Sequence, residues 1–78
     1  MSNYEKYCEI YVNLFEVDTE TSKKLSYQSI KNWDSIGHMA LMTEVEEAFD
    51  IMLDTDDIIN FSSFEIGIDI LKNYDVEF

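Results

Sequence analysis

The chain contains no proline, no arginine, two glycines and a single cysteine. One thiol excludes a disulfide framework and a thiolate metal site. That thiol, Cys8, lies in an apolar stripe and is expected to be buried and inert rather than nucleophilic. No repeat, low-complexity tract or linker-like stretch divides the 78 residues, which read as one domain. No apolar run approaches the ~20 residues of a membrane span. No basic segment followed by an apolar stretch marks a secretory signal, so the cytoplasm is the expected compartment. Positive charge is scarce: 5 lysines stand against 17 acidic residues, a net charge of −12. Such a chain repels phosphate backbones and anionic lipid, which argues against nucleic-acid and membrane partners and favours basic protein surfaces. Sustained period-2 alternation is also missing, so strands are not expected.

What remains is helical. Hydrophobic residues make up 46% of the chain, enough for a small core. A chain this short hides only roughly 60% of its unfolded surface, so modest stability is expected. The first segment runs from about Asn3 to Glu16, with Tyr4, Tyr7, Cys8, Tyr11, Leu14 and Phe15 at one-face helical spacing. Ser2 and Glu5 form a capping box at its start. Asp18 to Gln28 lacks a clear period and reads as a long surface loop pinned by Leu25 and Ile30. The second helix runs from about Ser35 to Ile51, with Leu41, Met42, Val45, Ala48, Phe49 and Met52 on one side. Asp54 to Asn60 forms one or two turns. The last helix begins near Ser62, capped by Ser62 and Glu65, with Phe64, Ile68, Leu71 and Tyr74 inward. These stripes predict an all-α fold, a small antiparallel four-helix bundle with three principal helices and one short one, because no stripe can bury itself alone.

The second helix also carries the candidate chemistry. Asp34 is a good N-cap, and Ser35 then falls in the first turn, where free N–H groups and the helix dipole favour a negative group. Thr43, Glu46, Glu47 and Asp50 lie opposite the core side, and Ile36 and Met39 fall on or beside that face. Apolar contacts near Ser35 followed by carboxylates make a docking surface: anchors for contact, charges for steering. Trp33 is expected to anchor the long loop to the bundle or pack against His38, which is expected to be partly exposed. A catalytic base role for His38 has no second catalytic group to support it. The acids of Asp50 to Asp57 do not match the alternation, central glycine and distal glutamate of an EF-hand, so no such metal site is expected, and loose divalent binding by the clustered carboxylates stays open.

From Ser35 the chain reads Ser-Ile-Gly-His-Met-Ala-Leu-Met-Thr-Glu-Val-Glu-Glu-Ala-Phe-Asp. With Asp34 before it, this closely resembles the second helix of acyl carrier proteins, in which an Asp-Ser-Leu motif carries 4′-phosphopantetheine on the serine. Ile36 stands for the usual leucine. Gly37-His38 replaces the acidic residue that many carriers have next. The resemblance is best over Trp33 to Tyr74 and thin before Leu25. It implies a monomeric, non-enzymatic carrier with the architecture given above. Ser35 would be the attachment point, flanked by Asp34 and Ile36, and the arm would come from coenzyme A through a phosphopantetheinyl transferase. Acyl groups would ride as thioesters to fatty-acid, polyketide or related enzymes with basic docking surfaces. Those partners would meet Ile36, Met39, Thr43, Glu46, Glu47 and Asp50. Two alternatives stay open: an aminoacyl or peptidyl carrier of the same fold, and an unmodified acidic adaptor that uses the same helix without Ser35.

Overall fold

Capping side chains set where most helices of this protein begin. The computed structural model describes residues 2–78. The first helix, α1, spans Asn3–Phe15. Ser2 Oγ accepts from the Glu5 N–H at 3.1 Å, while the Glu5 carboxylate accepts from the Ser2 N–H at 3.5 Å, which is the expected capping box. Tyr7, Cys8, Tyr11 and Phe15 are buried as their spacing predicts, Ile10 joins them, and Tyr4 and Leu14 pack at the edge. Burial pushes the Cys8 thiol above its ordinary value, which keeps it protonated and inert.

The expected loop from Asp18 to Gln28 contains a further single-turn helix, α2, at Thr19–Ser22. Asp18 caps it, accepting from the Thr21 N–H at 2.7 Å. Ser22 is fully buried, and its hydroxyl donates to Thr19 O at 2.6 Å, so its burial leaves no orphan polar group. Leu25 is buried and Ile30 packs against the core, so both expected pins hold. The longest helix, α3, spans Ser35–Phe49 and packs on α1; Lys6 Nζ on α1 donates to Ala48 O on α3 at 3.1 Å. Leu41, Met42 and Val45 are buried, with Ala48 and Phe49 beside them. Helical spacing puts Met52 on the same face, but it is 85% exposed. Asp50 adopts a left-handed conformation (φ 53°) and ends the helix, so the 100° extrapolation fails beyond it and Leu53 takes the buried place.

Two helices complete the chain: α4 at Thr55–Asn60 and α5 at Phe64–Lys72. The α5 cap is Ser63 and not Ser62; Ser63 Oγ accepts from the Ile66 N–H at 3.0 Å, and the Ser62–Glu65 box does not form. Long-range pairing explains the shift. Ser26 and Ser63 form an isolated antiparallel bridge, Tyr27 N–H donates to Ser62 O at 2.8 Å, and Phe64 N–H donates to Leu25 O at 3.0 Å. Ser63 is thereby held extended and the helix starts after it. On α5, Phe64, Gly67, Ile70 and Leu71 are buried, and Ile68 is only half-buried. Tyr74 is half-buried too; its hydroxyl accepts from the Asp54 N–H at 2.9 Å and donates to the Asp57 carboxylate.

The described residues thus form a mostly helical structure of five helices without a β-strand, one helix more than expected. No helix among them is long and apolar enough to cross a membrane. The core is largely aromatic. Tyr7 and Phe64 lie 4.6 Å apart between ring centres, Tyr11 and Trp33 5.7 Å, and Phe15 stacks on Trp33 at 5.5 Å. The buried phenols satisfy each other in a chain: Tyr7 donates to Phe64 O at 2.8 Å and accepts from Tyr11 at 2.7 Å. Gly67 lets this cluster close, since a Cβ there would collide with Tyr7 Oη and the Phe61 ring.

Candidate functional site at the start of α3

Asp34 does what its position predicts. Its backbone is extended, and its carboxylate accepts from the Gly37 N–H at 2.8 Å. Ser35 follows as the first helical residue, exposed. Gly37 has a role that charge alone did not reveal. A Cβ there would strike the Asn32 carbonyl and touch the Phe15 ring at 3.4 Å, so the glycine lets the preceding connector lie against the first turn of α3.

Trp33 is fully buried and fixes that connector. Its indole N–H donates to His38 Nδ1 at 2.9 Å, and the two rings are nearly parallel, 16° apart. His38 Nε2 lies 2.7 Å from Ile58 O. Because Nδ1 accepts from the indole, the hydrogen-bond pattern assigns the imidazole proton to Nε2, which donates to Ile58 O. His38 is half-buried and latches α3 to α4. Both ring nitrogens are engaged, which leaves it unsuited to act as a base on Ser35.

A cavity of about 410 Å³ opens beside Ser35. Tyr27, Met39, Ile59 and Phe61 make much of its lining, and Ser35 and His38 supply polar edges. Tyr27 Oη lies 3.3 Å from Ser35 Oγ, and its ring sits edge-on to His38 at 5.4 Å. On the outer side Ile36 is 82% exposed, Met39 54% and Ile59 71%. Such an apolar cluster around one hydroxyl is unusual for the exposed start of a helix.

The carboxylates of the expected docking face differ in how they are held. Thr43, Glu47 and Asp50 are exposed, with the Thr43 hydroxyl donating to Met39 O at 3.0 Å. Glu46 is half-buried and also serves the fold. Its carboxylate accepts from the Leu53 N–H at 2.8 Å and holds the connector after α3. The chain reversal at Asp50 brings Leu53 back to Glu46, which a helical wheel does not register. Among the described residues the one ion pair is Lys23–Glu20 at 3.6 Å, so no lysine pairs with the acids of α3. No group of three or more His, Cys, Asp or Glu among the described residues is placed to hold a metal ion.

The site residues taken from sequence, Asp34, Ser35, Ile36 and Met39, therefore meet at one end of α3. Sequence reasoning missed Tyr27, Ile59 and Phe61, which come from the connector, α4 and the segment after it. Their only signal was that Tyr27 and Ile59 are large apolar residues outside any stripe. Comparison with protein-family models, with curated proteins and with solved structures finds no match to this chain.

Proposed function

We propose that this protein is an acyl carrier protein, with α1, α3 and α5 as the principal helices of the carrier bundle, α4 as its short helix and α2 an addition within the connector. Ser35 is the attachment point for 4′-phosphopantetheine. The single observation that carries the reading is an exposed Ser35 hydroxyl at an Asp34-capped helix start, ringed by exposed Ile36 and Met39. The residues present fit the group. The Ser35 hydroxyl is open to an incoming enzyme, and Asp34 leaves the Ser35 and Ile36 N–H groups of the first turn without an intrahelical acceptor, where a phosphodiester charge is stabilised. When bound, the arm supplies a flexible thiol on which acyl groups travel as thioesters. This chain supplies the nucleophilic oxygen and no base: His38 is spent on Trp33 and Ile58. The base and the phosphoryl donor belong to the transferase and coenzyme A. That division makes the protein a carrier rather than a catalyst. Partners with basic surfaces meet Ile36 and Met39 first and are steered by the unpaired acids Glu47 and Asp50.

Intact-mass analysis after incubation with coenzyme A, magnesium and a broad-specificity transferase tests the reading. One arm is expected on the wild type and none on Ser35→Ala. A wild type left unmodified by several transferases would return the protein to the class of acidic adaptors. The mass of the natively loaded form then separates acyl from aminoacyl cargo.

A further inference from the structure

We propose that Tyr27 is a positioning residue for the group carried on Ser35, holding its phosphodiester so that the arm starts across the cavity between α3 and α4. The inference rests on the reading of Ser35 as the attachment point. Tyr27 is unusually well mounted for a connector residue. Its N–H donates to Ser62 O, its neighbour Ser26 is bridged to Ser63, and the next residue, Gln28, sits at φ 66° with its N–H donated to Trp33 O at 2.9 Å. Its ring leans on His38, which is itself fixed at both nitrogens. The phenol oxygen is thus set 3.3 Å from Ser35 Oγ, its one side-chain hydrogen bond among the described residues.

With a free serine, either hydroxyl can be the donor, and the bond is long and weak. Esterification changes this. Ser35 Oγ loses its proton and becomes a poor, bridging acceptor, while anionic non-bridging oxygens arrive one bond further out. Tyr27 can then only donate, to a charged acceptor, and such bonds are shorter and roughly twice as strong as neutral ones. Tyr27 forms one wall of the cavity, and Met39, Ile59 and Phe61 form others. A phosphodiester held by Tyr27 therefore directs the adjoining dimethyl-substituted carbon of pantetheine toward Met39 and Ile59 and away from the open side where Ile36 lies.

The test compares loaded wild type, Tyr27→Phe and Met39→Ala by NMR, after intact mass has verified one arm on each. In the wild type, nuclear Overhauser contacts are expected from the pantetheine methyls to the Met39 and Ile59 methyls. Tyr27→Phe keeps the ring on His38 and removes only the donor. It should shift the ³¹P resonance and lower the ratio of docked to undocked arm by about tenfold, as loss of a hydrogen bond to a charged group implies. Met39→Ala should weaken the contacts and leave the ³¹P resonance in place, because the donor is intact. A ³¹P resonance and contacts unchanged in Tyr27→Phe, or a loaded wild type without contacts to Met39 or Ile59, would overturn this inference alone. Absence of the mass increment would overturn the attachment reading and this inference with it.

Discussion

Replacing Glu46 by alanine should cost stability that replacing its neighbour Glu47 does not. Glu46 accepts from the Leu53 N–H at 2.8 Å, and Glu47 is exposed. A hydrogen bond to a charged group contributes about 1.5–3 kcal/mol, and for half-buried Glu46 the lower end applies, about 1.5 kcal/mol. Other consequences of the change are shared. Alanine is a slightly better helix former than glutamate, and removing an acid near the negative end of a helix gains a few tenths of a kcal/mol at either position. The difference between the two variants therefore isolates the bond. In a domain of this size 1 kcal/mol moves Tm by roughly 4–8 °C, so the gap should be about 6–12 °C. Thermal unfolding followed by far-UV circular dichroism, at one salt concentration and pH, reads it directly. Equal melting temperatures would refute a stabilising role for the Glu46 bond to the connector. The distinction matters for binding work, because a Glu46→Lys, Glu47→Lys double variant mixes lost folding with lost steering. Glu47→Lys alone is the clean probe, and its effect on association should shrink as salt screens it.

Met39→Ala should weaken partner binding with little change in Tm, whereas Val45→Ala, at a fully buried position, should lower Tm by several degrees; equal losses would show that Met39 belongs to the core. The Tyr7 and Tyr11 phenols are pushed above their ordinary value of 10.0, chiefly by burial, so their neutral forms favour the folded state. That contribution is fully present below pH 10 and is lost as pH rises toward the raised folded values. Alkaline unfolding with a late, cooperative tyrosinate absorbance is expected, and gradual titration of all the tyrosines near pH 10 in a still-folded protein would count against it.

The parts of the fold that were legible in the sequence are those fixed by neighbours along the chain. Ser2 with Glu5, and Asp34 with Gly37, are caps whose partners lie three residues away, and both form where the pattern puts them. The α5 cap is displaced by one residue because its start is decided by pairing with Ser26 and Tyr27, distant in sequence. The α2 turn escapes a periodicity argument because four residues carry no period; the Asp18 cap is its one local sign. Met52 departs from its expected place and Glu46 gains its connector bond for a common reason, the left-handed turn at Asp50, which ends the helical wheel and folds the chain back. At the site, Asp34, Ser35, Ile36 and Met39 share one helix and can be read together. Tyr27, Ile59 and Phe61 are assembled only by tertiary structure, through the bridge near Ser63 and the latch at His38.

That latch gives the protein an optical consequence. Trp33 is the only tryptophan in the chain, it is shielded from water, and its indole N–H is bonded to the same imidazole that ties α3 to α4. Indole emission responds to solvent access and to the partner of the N–H, so the intrinsic fluorescence of this protein originates from the base of the site and from nowhere else once tyrosine excitation is avoided. Any event that loosens α4, shifts the connector or pulls His38 aside changes the colour or intensity of one identifiable chromophore. Rearrangements around Ser35 can therefore be followed in solution on the unaltered chain, without a label and on the timescale of mixing.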